Sequence, residues 1–81
     1  MENSKNMKEI LVIQDDDTII GVASTKEKAF EMIQNYFGEE GEIRDIEDVR
    51  DSGIEFYCKV YTKDSKWFYN ISVQYHTIDE V

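Results

Sequence analysis

Hydrophobic positions change their period along this chain. Residues 8–14, KEILVIQ, and 18–23, TIIGVA, are β-branched runs separated by Asp15, Asp16 and Asp17. β-branched side chains favour extended backbone, and short acidic side chains bond neighbouring amides in turns, so the spacing predicts a hairpin. The unbroken apolar run Ile10 to Ile13 predicts a first strand covered on both faces.

The period then lengthens. In STKEKAFEMIQNYFG, Ala29, Ile33, Tyr36 and Phe37 fall on one helical stripe with Phe30 at its edge. Ser24 and Glu27 have the spacing of a capping box, and Gly38 is able to take the positive φ that ends a helix. These signals predict a helix over residues 25–37.

Strict alternation returns in IEFYCKVYTKDSKWFYNISVQY, residues 54–75. Ile54, Phe56, Cys58 and Val60 share one face of a strand, and Trp67, Tyr69, Ile71, Val73 and Tyr75 share one face of its neighbour. A turn centred between Asp64 and Ser65 sets Val60 opposite Tyr69, Cys58 opposite Ile71 and Phe56 opposite Val73, all apolar. The same register puts Tyr61 beside Phe68 on the other face, with Tyr57 two positions along.

Between helix and hairpin lies GEEGEIRDIEDVRDSGIE, in which Ile43, Ile46 and Val49 recur every three residues between glycines at 41 and 53. Low hydrophobicity and high charge suit a short, irregular edge strand, where charge discourages pairing with other chains. The element order β-β-α-(β)-β-β predicts an α+β domain: a small antiparallel sheet of four to five strands with one helix packed on one face. Residues 1–7 are expected to be a flexible N-terminal segment, 8–76 the domain, and 77–81 an acidic C-terminal tail. The face away from the helix carries Tyr57, Tyr61 and Phe68, and an aromatic patch of this kind marks an interface, making it a candidate dimer face.

Composition sharpens this picture. At 81 residues and 41% hydrophobic, the chain is one domain with a thin core. Cys58 is the only cysteine, so no intramolecular disulfide forms, which suits the reducing cytoplasm. The opening MENSKNMKEI lacks the apolar core of a signal peptide, and no apolar run approaches the ~20 residues that span a bilayer. The net charge is −9, and residues 39–55 hold eight acids against Arg44 and Arg50. A surface of this sign repels nucleic acid and anionic membranes and attracts basic partners.

The chemistry of sites narrows the field further. One cysteine and one histidine cannot build a zinc site, and with Gly53 as the sixth residue of a calcium loop Arg50 and Lys59 fall where oxygen ligands are required. No glycine-rich phosphate loop is present, and Cys58 sits in the inward alternation as a small buried hydrophobe. The sequence thus implies no catalytic residue, metal or cofactor.

The carboxylate run admits two roles. It serves as a solvated face protecting a sheet edge, or it presents anions in a row. Residues i and i+2 of a strand lie ~6.6 Å apart, so Asp45 and Glu47, with Asp51 further along, would project from one face much as phosphates do along DNA.

The run DDDTIIGVASTKEKAFEMI, followed by the aromatic hairpin and the ending IDEV, resembles small acidic proteins encoded by large lytic phages of Gram-positive bacteria. The resemblance implies a protein that binds and disables a host protein. Some such proteins act as DNA mimics, including inhibitors of the histone-like protein HU. The expected function is therefore an acidic inhibitor, not an enzyme, that occupies the nucleic-acid-binding surface of a basic host protein in the cytoplasm. Asp45, Glu47, Asp48 and Asp51 would be central, with Glu39, Glu40 and Glu42 supplying long-range attraction, and Asp15 to Asp17 joining only where the fold brings that turn nearby. The alternative is an interaction module that binds a neutral partner, or itself, through Tyr57, Tyr61 and Phe68.

Overall fold

The structure is a computed structural model that describes residues 7–63 and 67–79. It contains β1 (Met7–Asp15), β2 (Thr18–Ala23), α1 (Lys26–Phe37), β3 (Gly41–Asp51), β4 (Ile54–Thr62) and β5 (Phe68–Asp79). The five strands form one antiparallel sheet in the order β2-β1-β5-β4-β3. This is the α+β fold that the patterning predicts, with a fifth strand in the acidic segment.

The helix packs on one face of this sheet. Ala29 and Ile33 of α1 are buried against Leu11, Ile13, Ala23, Phe56, Cys58, Val60, Ile71 and Val73, with Phe30 and Phe37 packed at the margin. The register of β4 on β5 is the expected one: Val60 faces Tyr69, Cys58 faces Ile71, Phe56 faces Val73 and Tyr61 faces Phe68. The turn at Asp64 and Ser65 lies outside the described residues.

Several local expectations are corrected. Thr25, not Ser24, caps the helix: its backbone is extended and its Oγ1 accepts from the Lys28 amide at 3.1 Å. Ala23 is still in the β2 ladder, so the chain needs one more residue to turn before the helix starts. Tyr36 points to solvent despite its place in the stripe, and Trp67, 77% exposed, precedes β5 and leaves the inward alternation to begin with Tyr69. β1 is not covered on both faces. Leu11 and Ile13 are buried under the helix, whereas Ile10 and Val12 are half-buried on the open side. Residues 77–79 are not a tail, since β5 continues to Asp79 opposite Met7, and the long β1–β5 ladder supplies the backbone partners that order both ends.

At the end of α1, Gly38 takes a φ of 80° and its N–H donates to the Gln34 carbonyl at 2.8 Å. The Gln34 amide donates in turn to the carbonyls of Gly38 and Gly41, tying the helix end to the start of β3. A side chain at Gly41 would meet Phe37 Cβ at 2.6 Å and Val60 Cγ1 at 3.2 Å. Neither atom is the free end of a flexible chain, so Gly41→Ala forces the helix away from the sheet. Overpacking of this kind is expected to cost about 1–3 kcal/mol, read as a lowered midpoint in urea.

Candidate functional site

Around the site, the face opposite the helix is built from the outward positions of three strands. Tyr57, Lys59 and Tyr61 of β4 stand beside Ser72, Asn70 and Phe68 of β5, and on the other side face Glu47, Arg44 and Glu42 of β3. The rings of Tyr61 and Phe68 lie 5.3 Å apart. Tyr57 is 43% exposed and Phe68 41% exposed, so the sheet leaves this aromatic row open. Cations ride on it: Arg44 sits 4.9 Å over Tyr61 while donating to Glu42 at 2.9 Å, and Lys59 sits 4.7 Å over Phe68.

β3 is less regular than alternation alone would make it. Its register on β4 slips between Arg44 and Glu47 and again between Asp48 and Asp51, with positive φ at Asp45 (55°) and Arg50 (45°). Such bulges bend an edge and re-aim side chains. Asp45 is turned onto the open face, where it accepts from the Tyr61 hydroxyl at 3.3 Å and lies 4.0 Å from the Lys59 ammonium. Glu47, opposite Tyr57, shares that face. Asp48, opposite the inward Phe56, pairs instead with Lys26 of the helix. Asp51 closes the β3–β4 turn opposite Ile54, while Glu39 and Glu40 sit in the turn after the helix and share a second concavity with Glu42, Arg44 and Tyr61. The structure therefore unites Asp45 and Glu47 at one concavity, gathers Glu39, Glu40 and Glu42 at another, and turns Asp48 and Asp51 away from both.

A concavity of about 510 Å³ occupies the open face. Tyr57, Lys59, Asn70 and Ser72 form its floor, Asp45 and Glu47 one rim and Asp16 the other. Asp16 arrives there because the β1–β2 turn overhangs β5, so the condition for that turn to join is met by one of its three aspartates. Asp16 has a positive φ of 59°, which Asp tolerates better than most residues. The neighbouring Asp15 carboxyl is raised above its ordinary range by desolvation first and by the charge of Asp16 second. Sequence reasoning overlooked Lys59, Asn70 and Ser72 as site residues. The β4–β5 register already placed Ser72 opposite Tyr57 and Asn70 opposite Lys59, and that was the signal for them.

This arrangement suits binding of cations. Three carboxylates stand against one ammonium, and aromatic faces attract positive charge. Cys58 faces the core, 2% exposed, and burial pushes its thiol up to about 11. Its thiolate is scarce at neutral pH. Modification by a thiol reagent is expected to proceed in the native protein no faster than the chain opens, and to become fast in urea. Among the described residues no cluster of His, Cys, Asp or Glu is placed to hold a metal ion, and no helix is long and apolar enough to cross a membrane.

No family model, curated protein or solved structure matches this chain.

Proposed function

We propose that this chain is a non-catalytic acidic binding protein that seats its open sheet face on a basic, nucleic-acid-binding protein and competes there with nucleic acid. The observation that carries this reading is convergence: Asp16 from one hairpin and Asp45 and Glu47 from the opposite edge strand rim one aromatic-floored concavity. Glu42, at the far end of the same edge, and Glu39 and Glu40 beyond it extend the negative field. A buried, unpaired thiol suits the reducing cytoplasm, that of the host cell for a phage-encoded chain.

Competition tests it. Labelled duplex DNA bound to a histone-like protein is expected to be displaced as this protein is added, with an affinity that falls steeply between low and high salt. DNA that stays bound while the two proteins associate removes the mimicry. A second reading, a neutral partner or a second copy docked on the same face, is favoured by the open Tyr57, Tyr61 and Phe68 row, and by exposed Ile19 and Val22 on the same sheet. That complex would be nearly indifferent to salt, and a self-association would double the mass seen by light scattering.

A further inference from the structure

The chain shows how it holds its own arginines. Arg44 stacks 4.9 Å over Tyr61 and donates at 2.9 Å to Glu42, the residue directly across the ladder from that ring. Arg50 stacks 4.8 Å over Tyr75 and donates at 2.8 Å to Glu9, with Glu55 as a further partner. Each guanidinium thus has an aromatic ring beneath it and a carboxylate at its edge.

The same parts recur once more. Glu47 lies directly across the ladder from Tyr57, on the same strand pair and the same face as Glu42 and Tyr61. The difference is in the residue two places on: Glu42 is followed by Arg44, which reaches back over its ring, whereas Glu47 is followed by Val49. Among the described residues no cation stacks on Tyr57, and Glu47 has no ion-pair partner. The ring floors the concavity, with Ser72 and Asn70 beside it as oxygen acceptors and Asp16 and Asp45 across it. Lys59 on the same floor is held over Phe68 and beside Asp45.

We propose that the Tyr57–Glu47 niche is an arginine-binding site, which receives one arginine side chain of the basic partner and discriminates it from lysine. This rests on the reading that the open face docks a basic protein. Guanidinium is planar and weakly hydrated, so it stacks on the ring while donating to Glu47 and to the floor oxygens. An ammonium also sits over rings in this protein, as Lys59 does over Phe68, but it is a compact, strongly hydrated charge with no planar face to stack and no fork to share between Glu47 and the floor oxygens, so it gains less.

Two peptides of equal charge, identical except that one carries arginine where the other carries lysine, separate these terms. Wild-type protein is expected to bind the arginine peptide about tenfold more tightly, within the range of a desolvated cation–π contact, and the Tyr57 ring protons should shift in NMR spectra. Tyr57→Leu should erase the preference, weakening the arginine peptide about tenfold and the lysine peptide much less. Glu47→Gln should weaken the arginine peptide more than the lysine one, and Glu40→Gln should weaken both alike. Equal, salt-sensitive binding of the two peptides, or a preference that survives Tyr57→Leu in a folded variant, overturns the arginine site while leaving the basic-partner reading standing. Failure of either peptide to bind at millimolar concentration overturns both.

Discussion

Phe56→Ala is expected to remove a large share of the domain's stability. Phe56 is fully buried in the middle of β4, between the sheet and the helix, with Val73 across one ladder and Asp48 across the other. Its ring stacks on Phe30 at 4.7 Å, and the Lys26 ammonium lies 5.5 Å above it on the way to Asp48. Emptying such a site costs about 3–5 kcal/mol. At the usual ~0.05–0.15 kcal/mol per residue, a domain of this length has only about 4–12 kcal/mol to lose. The measurement is circular dichroism through a urea titration: the variant's midpoint should fall to well below that of the wild type, while Phe56→Leu, which refills most of the space, should lower it far less.

The second large effect is on binding. Combining Asp16→Asn, Asp45→Asn and Glu47→Lys, a change of four charge units, is expected to weaken a basic partner by up to about a thousandfold at low salt, taking at most ~1 kcal/mol per exposed charge. Asparagine is chosen at the first two positions because both have positive φ, which it adopts more readily than other replacements. Thermal melting should therefore shift little. Asp48→Asn and Asp51→Asn make the contrasting pair, since one carboxylate faces the helix lysine and the other a turn. They should change affinity by no more than a general loss of charge would. If they weaken binding as much as the triple variant does, the docking surface is the edge of β3 and not the open face.

That contrast also marks where the sequence stops being informative. Alternation and the apolar matching of two faces sufficed for the β4–β5 register, because a slip of one residue would expose Phe56, Cys58 and Val60 together. The acidic segment was legible as an irregular edge strand from its low hydrophobicity, but not as a long one: the glycines that suggest a short span lie at its ends, and β3 runs eleven residues. Which acids share a face was not, because the bulge at Asp45 breaks the two-residue period, and its positive φ leaves no mark on the identity of an aspartate. Ser24 and Thr25 are both competent caps, and the choice between them depends on where the β2 ladder ends. Asp16 reaches the concavity only because β5 inserts between β1 and β4, a fact of strand order that no local pattern carries. The site is thus a product of topology more than of motif.

That insertion of β5 has a further consequence, for the order of events during synthesis. Residues 7–37 form a hairpin and a helix, and residues 41–79 form a meander, each closed by contacts between neighbouring strands. The two parts share a single strand seam, β1 on β5, in which Ile10 meets His76 and Leu11 meets Tyr75. Leu11, Ile13, Ile71 and Val73 are all buried there. A ribosome therefore delivers every residue through β5 before the seam closes, and until then the inner edge of β1 has no partner. Pairing across so long a separation is slow compared with closing a hairpin. Completion of the core thus waits on β5, and the carboxylates Glu9, Asp15, Asp16 and Asp17 in and beside β1 keep the waiting edge charged.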